Sequence, residues 1–175
     1  PAVFIGLLVP VRESGALLPQ LFTAASLRRL PLRKYAWTAG SIVQGLCAIA
    51  IGISALMLEG VAAGIAIVSA LAVLALARSV CSVTYKDVLG KTVSKSRRGT
   101  ATGTATSASA FFVIIFGAVL ASGFLERMDV VVAALFLAGA LWAFAAILFS
   151  TLQEESGATE GGRNPLKAAL QNFTL

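Results

Sequence analysis

The sequence predicts an all-α integral membrane protein with five transmembrane helices. Three observations carry that expectation. First, no charged residue occurs in 35–58, 60–77, 99–125 or 130–153, and each run approaches or exceeds the roughly 20 residues a helix needs to cross a bilayer. Second, the chain is 58% hydrophobic and 13% charged, with a mean hydropathy of +0.89, whereas soluble domains are about 25% charged. Third, the separators alternate in charge. Leu27-Arg28-Arg29-Leu30-Pro31-Leu32-Arg33-Lys34 and the stretch from Lys86 to Arg98 are basic, while Leu58-Glu59-Gly60 and Glu126-Arg127-Met128-Asp129 are short and slightly acidic. A chain that threads back and forth with its basic loops held in the cytoplasm gives this alternation.

The first span is expected over about 3–27 and is the least regular, with Pro10, Arg12, Glu13 and Pro19 within it. Either a helix starts near Pro10, which suits a first turn, or it starts at Ala2 and bends at Pro10, which holds Arg12 and Glu13 deeper. Pro19 is expected to kink it in both cases. The second span, about 35–57, opens on Tyr35 and Trp37, and the third, about 60–85, closes on Tyr85. All three rings fall at the basic boundary, where amphipathic aromatics anchor. The fourth and fifth spans, about 100–124 and 129–152, carry Trp142 and most of the phenylalanines, among them Phe111, Phe112, Phe116, Phe136, Phe144 and Phe149. Together 2–153 form the expected bundle. From Glu154 to Leu175 the composition turns polar and Gly-rich, as in a cytoplasmic linker, with a short amphipathic stretch over 165–173.

Nine Lys and Arg lie in the two basic separators and only Arg127 in a separator on the other side. The basic side is therefore expected to be cytoplasmic, with the chain starting outside and ending inside. Five crossings from an external start are odd for a complete protein, and one further helix before Pro1 would restore a cytoplasmic N-terminus. A net charge of +6 does not point to nucleic acid, because the bases flank apolar spans without interleaved aromatics; the lipid bilayer, with its anionic inner leaflet, is the expected partner. The chain has no histidine, and Cys47 and Cys81 form no Cys-x-x-Cys. No metal site, cofactor or acid/base pair is expected, which argues against a membrane-embedded enzyme.

A sixth helix would put basic loops after helices two and four and a polar linker after helix six. In that arrangement, the chain from Ala2 to about Glu155 resembles the N-terminal half of a major facilitator superfamily (MFS) transporter. Val9-Pro10-Val11-Arg12-Glu13-Ser14-Gly15-Ala16-Leu17-Leu18-Pro19-Gln20 resembles helix two of bacterial members. The first basic loop sits where the superfamily keeps G-x-x-x-D-x-x-G-R-K; here Ala25, Arg29, Leu32, Arg33 and Lys34 stand at those positions, so the basic pair is kept and both glycines and the aspartate are not. Lys95-Ser96-Arg97-Arg98-Gly99 resembles the Arg-Gly start of helix five. Arg78, followed by Cys81 and Ser82, partly resembles R-x-x-Q-G without its glutamine, and Phe116–Gly123 lacks G-P-x-x-G-G. The resemblance implies alternating access, coupling to an ion, a small-molecule solute, the remaining half of the parent transporter as partner, and a bacterial inner (plasma) membrane location.

Several polar residues are candidates for that function. Arg78 follows 18 uncharged residues; a cation there costs a few kcal/mol and is expected either in a central cavity as an anion-binding or coupling residue, or snorkelling to the basic edge near Lys86. Arg12 and Glu13 are adjacent and so point to different faces, which makes a direct pair poor; either they contact substrate or proton, or they sit at the outer rim. Gln20 and Gln44 are candidates for solute contact, with interhelical hydrogen bonding as the default. Asp87 is the one acid among the bases of the inner loops. The resemblance implies that it accepts from Arg28, Arg29, Arg33 or Lys34 in a cytoplasmic gate to which Arg97 and Arg98 also belong. Gly99-x-x-x-Gly103-x-x-x-Ser107 and Gly60-x-x-x-Gly64 place small residues on single helix faces, for close packing or for sliding. The competing reading of the whole chain is a non-transporting membrane scaffold or assembly subunit.

Overall fold

The computed structural model describes residues 3–15, 30–123 and 126–154, and these are helical with short connections. Helix α1 covers 3–15, followed by α2 (Lys34–Met57), α3 (Gly60–Thr92), α4 (Arg98–Ser122) and α5 (Arg127–Ser150). The last four are each long and apolar enough to cross a membrane. No strand occurs among the described residues.

Helix α2 is the centre of the assembly, packed against α3 on one side and α5 on the other. Small residues make both contacts close. A Cβ at Gly40 would meet the Cys81 sulfur and lie 3.2 Å from the Ala77 carbonyl oxygen; a Cβ at Gly45 would lie 3.0 Å from the Gly139 carbonyl oxygen. Small residues let backbones approach this closely, which increases contact area between helices. The pairings run antiparallel: Gly40 to Cys81 and Arg33 to Asp87 join α2 with α3, while Ser41 to Trp142 and Gly52 to Phe136 join α2 with α5. Along α2 the buried positions are Gly40, Ser41, Gln44, Gly45, Cys47, Ala48 and Gly52. This composition of small and polar residues faces protein, with Leu46, Ile53 and Leu56 left exposed.

Helix α1 lies along α3, where Phe4 packs on Gly64 and Gly15 sits against Ala75. It runs helically through Pro10, so the start at Pro10 is not the one adopted. The hydroxyl of Ser14 donates to the Pro10 carbonyl. Residues 16–29, which include Pro19, Gln20, Arg28 and Arg29, and 155–175, which include the expected linker, lie outside the described residues.

Helix α3 is longer than its apolar run. The sequence reading ended the span at Tyr85 and treated 86–98 as loop, but the helix continues to Thr92. At about 50 Å it exceeds a hydrocarbon core of about 30 Å. Charge does not stop a helix; Lys and Leu are good helix formers. The projecting end is ordered by packing, with Val88 buried, and by Arg98, whose guanidinium donates to Val93 O at 2.9 Å and to Gly90 O. A cation on the last carbonyls complements the helix dipole.

Helix α4 has no buried residue and touches α5 only sparsely. Its first half, from Gly99 to Ala110, contains only Gly, Ala, Ser and Thr, and its second half holds the exposed run from Phe111 to Phe116. Thr102, Thr104 and Thr106 return their hydroxyls to carbonyls four residues back at 2.9–3.0 Å, so these polar groups are satisfied within the helix. Nothing lies within 4 Å of a Cβ built at Gly99 or Gly103. The small face is open and packs against nothing described.

Candidate functional site

Two sites emerge, one at the basic end and one in the middle of α3. At the basic end, the start of α2, the end of α3 and the residues just after α5 meet in a charge cluster. Arg33 Nη1 lies 3.2 Å from Asp87 Oδ2, with the Arg33 side chain 3% exposed and Asp87 33% exposed. Lys91 Nζ donates to Glu154 Oε1 at 3.1 Å. The backbone N–H of Lys34 donates to Glu154 Oε2 at 2.8 Å, and the Lys34 ammonium donates to Ser150 O at 3.0 Å and Leu152 O at 2.7 Å. The Trp37 ring stacks on Phe149 just inside the cluster, with centroids 4.0 Å apart.

Electrostatics follow from these contacts. Burial alone pushes the Glu154 carboxyl upward, but the backbone N–H groups of Lys34 and Arg33 and the Lys91 ammonium outweigh it and hold its pKa below the ordinary value. Donors aimed at the ionised form favour it. The cluster is thus a set of charge-assisted bonds fastening three helix ends.

Of the nine bases in the two basic separators, Arg33, Lys34 and Lys91 are committed to these ties and Arg98 to the end of α3, whereas Lys86, Lys95 and Arg97 are exposed. Asp87 accepts from Arg33, one of the four donors named from sequence. Arg98 caps α3 rather than joining the cluster. Glu154 and Lys91 were not singled out from sequence. A signal existed: α2 opens on two cations, the wrong sign for a helix N-terminus, and besides Asp87 the first acids on the basic side are Glu154 and Glu155.

The second site is Arg78. It is exposed, and no ion pair or hydrogen bond joins it to another described residue. One position along α3, Ser79 is fully enclosed, with no partner for its hydroxyl among the described residues. The Gln44 side chain is directed at Cys81 and at its own helix. It is buried between α2 and α3, where its amide nitrogen lies 3.2 Å from the Cys81 sulfur and 3.4 Å from Gly40 O. This is the interhelical bonding expected of it by default. Arg12 and Glu13 do approach each other, at 3.7 Å, with both side chains more than half exposed. Adjacent residues reach this distance because both side chains are long and bend towards one another. Such a pair contributes little.

A shallow groove of about 410 Å³ runs between α2 and α3, bounded by Ala36, Gly40, Val43, Val73, Ala77 and Val80 among others. Its lining is apolar, and it suits a hydrocarbon chain better than a polar solute. No group of three His, Cys, Asp or Glu side chains able to hold a metal ion occurs among the described residues.

No family model, curated protein or solved structure matches the chain. The described residues are all helical, and four of the helices are long and apolar enough to cross a membrane.

Proposed function

We propose that the chain is a segment of a secondary transporter of the MFS type, which moves a small solute across the membrane by alternating access with ion coupling. The observation that carries this reading is Arg78: a permanent cation in the apolar part of a spanning helix, exposed, and without a described partner. Intramembrane charges are expensive and are kept where they face a water-filled cavity or bind something. In this reading Arg78 attracts an anionic group of the solute or tunes a coupling acid, and the remaining half of the transporter closes the cavity. The Arg33–Asp87 pair belongs to the inner gate, at a cytoplasmic face that carries both basic loops, in a bacterial inner membrane.

The reading is tested by comparing solute accumulation in cells expressing the wild type and Arg78→Ala within the parent reading frame, across a panel of labelled anionic and zwitterionic solutes. At least one solute is expected to accumulate or be depleted only with Arg78 present, while both proteins insert equally. Identical profiles for the two would remove the reading.

A second reading, a non-transporting scaffold or assembly subunit, draws on α4. A helix with no buried residue offers its whole length to other chains. In that case Arg78→Ala leaves function intact and substitutions on α4 abolish assembly.

A further inference from the structure

We infer that Glu154 is the positioning residue of the basic-end cluster: its carboxylate caps α2 from beyond the far end of α5 and thereby holds Arg33 against Asp87. The inference rests on the gate reading of that pair and adds a residue to it.

The start of α2 lacks what a helix start needs. Its N-cap residue is Arg33, which makes no capping side-chain bond, and its first turn contains no acid. The first N–H groups of a helix have no partner within it, and the positive end of the dipole opposes the two cations placed there. Glu154 answers both deficits from 120 residues away. One carboxylate oxygen takes the N–H of Lys34 at 2.8 Å, and the N–H of Arg33 is also directed at the carboxylate. The other oxygen takes Lys91, four residues after Asp87 on α3 and so on the same helix face. The two oxygens therefore flank the Arg33–Asp87 pair, one on each helix that supplies it.

Glu154 is itself held. Lys34 returns its ammonium to the carbonyls of Ser150 and Leu152, immediately before Glu154 in the chain. The Glu154 side chain is 0% exposed, unlike an acid in a solvated linker. Arg33, Lys34 and Lys91 surround it, and Asp87 lies one turn from Lys91. Loss of the carboxylate leaves the first turn of α2 uncapped and removes the ion pair with Lys91, so Arg33 loses the backbone frame that presents it to Asp87.

Two readouts on the full chain in lipid nanodiscs test this. Hydrogen–deuterium exchange reports the Lys34 amide directly. Maleimide labelling of the native Cys81, in a Cys47→Ala background, reports separation of α2 from α3, because Cys81 is buried against Trp37 and Gln44. Glu154→Ala is expected to speed exchange at Lys34 by about tenfold, the loss of one charge-assisted hydrogen bond, and to raise Cys81 labelling to the level of Asp87→Ala. Glu154→Gln keeps an oxygen for the Lys34 N–H but not the charge for Lys91, and should label at an intermediate rate. If Asp87→Ala exposes Cys81 and Glu154→Ala speeds Lys34 exchange alone, Glu154 is only a cap and the inference is overturned while the gate reading stands. If neither variant exposes Cys81, both fall. Should Glu154→Ala fail to fold, the Gln variant decides: intermediate labelling supports the role and wild-type labelling overturns it.

Discussion

Helices α2 and α4 are nearly equal in length and similar in composition, yet they are used in opposite ways. Of the 24 residues of α2, seven are buried, among them four small residues on the faces that meet α3 and α5. The 25 residues of α4 include none that is buried, although its Gly99-x-x-x-Gly103-x-x-x-Ser107 stripe is as suited to close approach as anything in α2. Small residues permit contact without creating it. What distinguishes α2 is that its permissive face is matched by small residues opposite, Ala77 and Gly139, and by polar ties at one end.

The comparison breaks first, and with the largest effect, at the helix crossing. Gly45→Leu drives a side chain into the Gly139 backbone, whose oxygen would lie 3.0 Å from the new Cβ. Overpacking of this kind should cost about 3 kcal/mol, measurable by unfolding in mixed micelles. A Cβ at Gly103 on α4 meets nothing within 4 Å, and Gly103→Leu should leave the same transition within about 0.5 kcal/mol. Equal losses at the two sites would mean that α4 packs against something in the isolated chain.

A smaller effect is expected at the charge cluster. Removing one partner of a buried pair leaves the other charge uncompensated. Asp87 is one-third exposed, which reduces the penalty, and Asp87→Ala should destabilise by about 2 kcal/mol. Near-zero loss in the same micelle assay would show that Arg33 is satisfied without it.

The acid dependence of Glu154 is smaller still. Its folded pKa is lowered, so its contribution is fully present above the unfolded value of about 4.3 and is lost as pH falls through the folded one. The groups facing it are Arg33, Lys34 and Lys91, with Asp87 nearby. The difference in melting temperature between wild type and Glu154→Gln should therefore be largest at neutral pH and vanish below the carboxylate range. A difference that grows on acidification would contradict the lowered pKa.

The four long apolar helices were legible from the sequence because uninterrupted apolar runs of that length are visible residue by residue. The end of α3 was not. A rule that stops at the first lysine finds the membrane boundary and misses the turns beyond it, which are stabilised by Val88 packing and by Arg98. Asp87 was legible as an acceptor because it stands alone among bases. Glu154 was not, because its role depends on bringing residues 34, 91 and 154 together, a tertiary fact without a local signature. Gln44 read correctly as an interhelical bond, since a lone amide in an apolar span has few other ways to be satisfied.

The central claim is that Arg78 faces water inside the membrane. Cysteine accessibility tests it without knowledge of the solute. In a Cys47→Ala, Cys81→Ala background, Arg78→Cys and Leu141→Cys are compared in proteoliposomes with a membrane-impermeant thiol reagent. Leu141 is exposed on α5 and serves as the lipid-facing reference. The account expects position 78 to label within about tenfold of a loop cysteine such as Ser96→Cys, as thiol reaction tracks thiolate character and access. Labelling of position 78 as slow as position 141 would place Arg78 in lipid and contradict the transporter reading.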